Sequence, residues 1–584
     1  MKDLHSIAVE ADDTIAAVLN KMAEETCKTD PGGLNALTQI TTAAVFEQDE
    51  KRYKVYNTDL NKMEAMQLGD LPVQAIALPE TAVFFERLAG CKTSQESQLS
   101  GKLTDYFPVY FVAALYELQS FALRFNASAY VIGGLTRDVL RFNEKYTNQV
   151  GDIDITIEGD AIGFGKQLSE NSRNFTLAET YPDFGTAKVR YKESLVFDLA
   201  STREEIYSAC GAMPTIISCG IPLKQDITRR DFTVNAIALS IHALGTVVDY
   251  SQGIADIKDK VMRVLHPVSF FEDPSRILRA MKFATRFQFD LSTETRHLIR
   301  QFMRYGDLHY RGGGERIKDE LKEFFLADES TVKSHWVGFF LETGCDRLVN
   351  MDRCTEVSKT QKAAIGQRFS DQSAALMTQH RQHIRAVEAQ LTKYSDPDFL
   401  FLLYLCFYFR DFSDALFEAC LSRLGLTRAQ RDTIVQYRNH HEALLAHFPV
   451  LVDHASAVDI YELFKGLRLV TVAACLIEYR IQAPACAEKI IEAFILFKRK
   501  WEGIALELDG KDLLELGVPQ GKQIGECLTV LLHAKLMGRV RNRMDEIQFM
   551  QKKLESTKQA DNANKPAQEK NSNNSGKVGV NDVL

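Results

Sequence analysis

One stretch limits what this chain can be. From residue 129 it reads Ala-Tyr-Val-Ile-Gly-Gly-Leu-Thr-Arg-Asp, then a polar connection, then from residue 151 Gly-Asp-Ile-Asp-Ile-Thr-Ile-Glu-Gly-Asp. The second part alternates, with Asp152, Asp154, Thr156 and Glu158 on one side and Ile153, Ile155 and Ile157 on the other. A period of two predicts a strand with one buried face. Asp152 and Asp154 then project together, roughly 6–7 Å apart along the strand. Two carboxylates held that close repel unless a cation lies between them. Oxygen ligands of this kind suit Mg²⁺, commonly shared with a substrate phosphate.

Upstream, Tyr130-Val131-Ile132 reads as a short strand running into Gly133-Gly134. A backbone without side chains can approach a phosphate closely and present its N–H groups to it. Arg137 lies one helical turn further on, where a guanidinium can grip the same phosphates bidentately. A Gly-Gly pair alone is usually a turn, and an Asp-x-Asp alone is usually solvated; the order and closeness of the two give the signal.

Gly133-Gly134-x-x-Arg137-Asp138 followed by Asp152-Ile153-Asp154 resembles the nucleotide-binding signature of class II tRNA nucleotidyltransferases and bacterial poly(A) polymerases, a branch of the polymerase-β-like nucleotidyltransferases. Thr136 stands where the family has a branched apolar residue, and the gap from Asp138 to Asp152 is longer than usual; both departures concern loop shape. The resemblance implies an α+β chain: a small mixed-sheet nucleotidyltransferase head followed by all-α neck, body and tail domains. It implies a two-metal Mg²⁺ site on Asp152 and Asp154, and nucleotide contacts from Gly133, Gly134, Arg137 and Asp138. The implied reaction is attack of an RNA 3′-hydroxyl on the α-phosphate of CTP or ATP, completing the 3′ CCA end of tRNA. A poly(A) polymerase, or an RNA-binding protein with an inactive core, are the alternatives; a facing pair of carboxylates has no evident use in the last.

Three later stretches bear on the same site. Asp198 sits between Phe197 and Leu199 in a strand-like run, Leu195–Ala200, after a similar run over Thr186–Tyr191. An Asp in an apolar strand is costly unless paired or metal-bound, so Asp198 is either a third carboxylate near the metals, as in the family, or the partner of Arg203 or another basic neighbour. Residues 226–238, Asp-Ile-Thr-Arg-Arg-Asp-Phe-Thr-Val-Asn-Ala-Ile-Ala, place charge directly before an apolar run that reads as helical, with Thr228 or Asp231 as its cap. The run also resembles the family's second motif, which would turn Arg230 and Asp231 towards the nucleotide's phosphates and ribose. Finally, Glu272-Asp273-Pro274-Ser275-Arg276 predicts a helix with Pro274 at its first position and Asp273 as N-cap. Arg276, Arg279 and Lys282 continue one face. The resemblance to the family's Glu-Asp-x-x-Arg motif implies base recognition there. A carboxylate accepts and a guanidinium donates, so Asp273 with Arg276 matches the amino donor and ring-nitrogen acceptor of C and A and opposes U and G.

The rest of the 584 residues is read more coarsely. Residues 1–105 match nothing nameable and are expected to be a packing or assembly module, with a helix from Ile15 to Met22 and a break at 30–33. Residues 106–250 are expected to form the head, 251–330 the neck, 331–550 the helical body and tail that bind RNA, and 551–584 a disordered tail rich in Asn, Lys, Gln and Ser. The turn Gly517-Val-Pro-Gln-Gly521 before a helix can offer N–H groups to RNA phosphate, with Lys498-Arg-Lys500 and Arg539–Arg543 as nearby positive charge. Apolar and charged fractions of 45% and 25% are ordinary for globular proteins, and no apolar run of about 18 residues predicts a membrane span. Eleven cysteines without a C-x-x-C pair predict reduced thiols in the cytoplasm. A net charge of −8 means that RNA affinity must rest on local basic patches.

Overall fold

The computed structural model describes residues 7–29, 42–48, 51–79, 82, 95–99, 101–142, 153–192, 194–306, 314–326, 381–394, 398–410, 412, 414–454 and 456–563. Asp152 and the break at 30–33 lie outside these residues. The chain divides into two compact units, residues 1–379 with 400–432, and residues 380–399 with 433–584.

The first unit opens with a small sheet of β1 (Ile7–Ala8), β2 (Thr42–Gln48), β3 (Lys51–Tyr56) and β4 (Leu78–Pro79), in that order. The helix expected over Ile15–Met22 runs on to Thr29 and packs against a second helix, Asn57–Ala65. This N-terminal module seats on the Thr293–Tyr305 helix through the turn Val73–Ala75. His297 fixes the contact: its Nε2 donates to the Ala77 carbonyl at 2.9 Å, and its ring stacks on Tyr53 at 6.2 Å.

The head is built on eight strands. They are β5 (Gln95–Gln98), β6 (Ser128–Ile132), β7 (Ile153–Glu158), β8 (Phe175–Tyr181), β9 (Thr186–Tyr191), β10 (Leu195–Ser201) and, after a separate hairpin of β11 (Arg203–Ile206) and β12 (Thr215–Cys219), β13 (Ala238–Ser240) and β14 (Thr246–Asp249). Their order is β5-β14-β13-β6-β7-β10-β9-β8; β7 and β10 run parallel and the other neighbours antiparallel. The alternation read from the sequence holds: Ile153, Ile155 and Ile157 are each 1% exposed. They share the core with Phe197 and Leu199, beneath the helices Val109–Arg124 and Ala161–Asn171. Each such fully buried aliphatic side chain contributes roughly 1.5–3 kcal/mol, which fixes the register and so commits Asp154 to the opposite face.

One sequence expectation is corrected here. The apolar run after Asp231 is not a helix but a single 3-10 turn, Thr233–Asn235, leading into β13. A short run that is apolar throughout carries no periodicity; pairing of Ala238–Ser240 with β6, and of Ala238 and Leu239 with β14, decides it. Neither Thr228 nor Asp231 therefore caps the start of a helix; Thr228 instead closes the end of the short helix Leu223–Ile227.

Beyond the head lie the helices Ser275–Phe287, Thr293–Tyr305 and Gly314–Leu326. Pro274 already has helical angles, φ −60° and ψ −22°, while Asp273 is extended at φ −144° and ψ 96°. Asp273 is thus the cap, as the sequence predicted: its carboxylate accepts from Ser275 N at 3.0 Å and its carbonyl from Arg276 N at 3.0 Å.

The second unit is helical among its described residues, running from Arg381–Leu391 through Leu469–Gln482 and Pro484–Lys500 to Gly510–Glu515, Lys522–Leu536 and Arg543–Ala563. The last three enclose a core of Leu508, Leu513, Val518, Leu531, Ala534, Val540 and Met550. The final helix continues to Ala563, so a disordered tail from 551 is corrected over 551–563. Lys, Glu and Gln are good helix formers, and extending an existing helix avoids the nucleation cost. Residues 564–584 lie outside the described residues. No helix among the described residues is long and apolar enough to cross a membrane.

Candidate active site

The end of β6 and the start of the helix Gly134–Phe142 meet β7 at one rim of a cleft of about 530 Å³. Gly133 turns the chain with φ +89°, a conformation that L side chains rarely adopt. A Cβ there would come within 3.7 Å of Asp154 Oδ2, so the glycine loop and the carboxylate border the same space. Asp154 is exposed. Further along β7 the polar face is covered: Thr156 Oγ1 accepts from Arg230 Nη2 at 3.0 Å, and Glu158 accepts from Leu223 N at 2.6 Å.

Asp198 is the register partner of Asp154 across the parallel β7–β10 pair. Its side chain meets Lys188 at 3.2 Å, so the basic partner is Lys188 and not Arg203. Position and pairing coexist: Asp198 stands beside Asp154 while neutralised from β9. Asp154 and Asp198 bring two carboxylates side by side on neighbouring strands, the oxygen donors that a hard cation prefers; Asp152 lies outside the described residues. These residues fit Mg²⁺.

The cleft is lined by six arginines, Arg137, Arg229, Arg230, Arg276, Arg279 and Arg316, and four carboxylates, Asp154, Glu205, Asp231 and Asp273, besides the glycines. Most of these arginines are held by the protein itself. Arg137 is buried; it donates to Asp138 at 2.9 Å and Asn235 at 2.6 Å, and lies 4.2 Å over the Phe287 ring. Asp138 therefore serves Arg137. Arg229 and Arg230 grip the two oxygens of buried Asp226 at 2.8 and 2.9 Å. Burial would raise the Asp226 carboxyl, but the two guanidiniums hold it below the usual carboxylate range. Asp231 is half-buried against Arg279 at 2.6 Å, which outweighs desolvation and keeps its carboxyl below the usual range. Fixed donors of this kind need no reorganisation when an anion arrives.

On the far wall, Asp273 pairs with Arg316 at 2.8 Å. Arg276 donates from Nη1 to Ser269 Oγ at 2.8 Å and Glu272 at 3.2 Å, and from Nη2 to the Arg229 carbonyl at 2.8 Å. Arg279 also meets Glu320. Lys282 is bound by Glu320 at 2.6 Å and Glu323 at 2.9 Å and does not line the cleft.

The cleft thus gathers Gly133, Gly134, Arg137, Asp154, Arg230, Asp231, Asp273, Arg276 and Arg279 from the sequence-predicted set. Asp138, Asp198 and Lys282 stand behind or beside it. Sequence reasoning missed Arg229, Asn235, Glu205, Tyr207, Arg316 and Phe283. Arg229 and Asn235 lie inside the motif already singled out, whereas Arg316, on the helix Gly314–Leu326, lies outside every motif read from the sequence. The arrangement can hold a polyanion by its phosphates at the glycine end and present an acceptor and a donor to a flat polar group at the other.

Comparison with known proteins follows the same outline. Residues 129–263 match the poly A polymerase head domain. The A-adding tRNA nucleotidyltransferase of Geobacter sulfurreducens is 29% identical over 75% of this chain and 46% of its own length. That of Aquifex aeolicus is 43% identical over 33% of this chain and 22% of its own length. This chain thus spans less than half of either relative. The A-adding tRNA nucleotidyltransferase of Halalkalibacterium halodurans is 26% identical over 74% of this chain and 91% of its length. Among solved structures, a CCA-adding enzyme in an apo form superposes with a TM-score of 0.55 at 25% identity, covering 78% of this chain and 98% of that one.

Proposed function

We propose, from the premise that the chain belongs to the class II tRNA nucleotidyltransferase and bacterial poly(A) polymerase family, that it adds CMP and/or AMP to the 3′ end of tRNA without a template. The observation that carries the proposal is the cleft that brings Gly133-Gly134 and Asp154 opposite Asp273 and Arg276. Residues 106–250 act as the catalytic head, 251–330 as the neck that reads the base, and 331–550 as the body and tail that bind RNA.

Gly133 and Gly134 present backbone N–H groups to the triphosphate, and Arg230, steadied by Asp226, adds positive charge. Arg137 shapes the floor from beneath. Asp154, with Asp152, would hold two Mg²⁺; when bound, these neutralise the triphosphate and lower the pKa of the attacking hydroxyl. The RNA 3′-oxygen forms a bond to the α-phosphorus, the bond to the bridging oxygen breaks, and pyrophosphate leaves. Asp198 orders Asp154 through the shared strand register. Asp273 accepts from the amino group of C or A, and Arg276 donates to the adjacent ring nitrogen. The described cysteines are free thiols, which suits the reducing cytoplasm where such an enzyme would meet tRNA.

A narrower reading, AMP alone onto a tRNA ending in CC, draws on the relatives named A-adding. Incubation with tRNA lacking CCA, ending in C, or ending in CC, with each nucleotide separately, tests both. Extension by A only on the CC end selects the narrow form; stepwise C, C and A selects the full one; long A tracts select a poly(A) polymerase; no extension defeats the proposal.

A further inference from the structure

The wall of the cleft that carries Arg276 does not end at the neck. Glu272 lies one turn before Arg276 and is 4% exposed. Its two carboxylate oxygens serve different partners. Oε2 takes Arg276 Nη1 at 3.2 Å and lies 3.1 Å from His266 Nε2. Oε1 takes Lys62 Nζ at 2.8 Å. Lys62 belongs to the Asn57–Ala65 helix, far earlier in the chain, in the N-terminal module.

We propose that the N-terminal module is a working part of the nucleotide site, and that Lys62 is a positioning residue which holds Arg276 through Glu272. The inference rests on the reading that Arg276 borders the bound base. A buried carboxylate can orient a guanidinium only while its own charge and rotamer are fixed. His266 does not fix it: neither ring nitrogen makes an aligned hydrogen bond, and burial holds its pKa down to about 4, so the ring is neutral near pH 7. Burial alone would raise the Glu272 carboxyl, yet His266, Lys62 and Arg276 together draw it well below the usual range. Of these, Lys62 and Arg276 bring a full positive charge at neutral pH, and it is Lys62 that reaches Oε1. Without it the carboxylate is free to turn about its last torsion, and the hydrogen bond that aims Arg276 is shared among more arrangements. The module's seat on the neck, through Tyr53, Ala77 and His297, keeps Lys62 in reach.

The test uses the full chain with Lys62→Met and Lys62→Arg. Kinetics are measured with ATP, CTP, GTP and UTP on tRNA ends, alongside calorimetric binding of ATP and CTP and a melting curve. Lys62→Met is expected to raise KM and Kd for the accepted nucleotides about three- to tenfold and narrow their advantage over the others by a similar factor. The expected kcat stays close to wild type, Tm falls by a few degrees because buried Glu272 loses one partner, and Lys62→Arg restores both Tm and selection. Should Lys62→Met fail to fold, Lys62→Gln, which keeps the stem and a donor but no charge, carries the same comparison. Unchanged KM, Kd and selection, or a loss of Tm and kcat that Lys62→Arg does not rescue, overturns the role of Lys62. A wild-type chain that binds ATP or CTP yet extends no RNA defeats the transferase reading, and the Kd comparison then decides the role of Lys62 by itself. A wild-type chain that binds neither overturns both.

Discussion

Asp273 caps a helix, pairs with Arg316 and lines the cleft, so its removal has separable consequences. Asp273→Ala should lower stability by about 1 kcal/mol through the cap and reduce C or A incorporation about ten- to a hundredfold. U and G should lose less, because the native pair opposes them. Arg276→Ala should blur selection in the same way. It should also destabilise more, by about 1–3 kcal/mol, since it strips buried Glu272 of a partner. The four kcat/KM values with a melting curve separate the roles; unaltered discrimination in both variants removes base reading from this pair. At this scale the sequence displayed what is local. The polar face of the strand that carries Asp154, the glycine turn and the Asp273 cap follow from spacing alone. What it hid was the partner of each charge: Lys188 for Asp198, Asp226 for Arg230, Lys62 for Glu272. Such pairs are made by strands and helices that meet only after folding.

At the level of elements, strands with one wet face were legible, and β9 and β10 lie where the alternation put them. The run 232–238 was not, because burial on every side erases the period. Two elements carry predictions of their own. In the last helix, Glu546 is 0% exposed and accepts from Glu507 N and Leu508 N at 2.9 Å each and from Lys535 at 2.6 Å. Glu546→Ala orphans the two backbone donors and leaves Lys535 only Glu507 at 3.8 Å, and should cost about 2–4 kcal/mol of that unit's stability; denaturant melts of wild type and variant should differ accordingly, and coincident melts would contradict it. In the N-terminal module, Asp59 is fully buried, and burial pushes its pKa up to about 7, with Glu272 adding to the rise and Lys62 opposing it. A carboxyl raised in the folded state binds its proton there while the unfolded chain, at its ordinary value near 4, has released it. Its stabilising effect is therefore whole at the acid end and drains away at about 1.4 kcal/mol per pH unit until the folded group ionises. Asp59→Asn keeps the polar shape without the titration. Its melting advantage over wild type should widen from pH 4 to pH 7 and level off above; a constant difference across that range would refute the assignment.

For the whole molecule, a net charge of −8 rules out indiscriminate attraction to RNA. Affinity must come from patches, and the exposed Arg539 and Arg541 of the second unit offer one. Arg539→Glu with Arg541→Glu should weaken tRNA binding and flatten its salt dependence, by about 0.7 in log–log slope for each single-stranded RNA phosphate that the variant no longer neutralises, while KM for ATP holds. An unchanged slope would place the RNA elsewhere. Everything else in the account converges on one act of chemistry at Asp154. The most direct measurement is transfer of labelled AMP onto tRNA ending in CC, in Mg²⁺, by wild type and Asp154→Ala, with melting curves for both. The account predicts transfer by wild type, a drop of about a thousandfold or more in the variant, and matching Tm values. Equal transfer by the two proteins would contradict it.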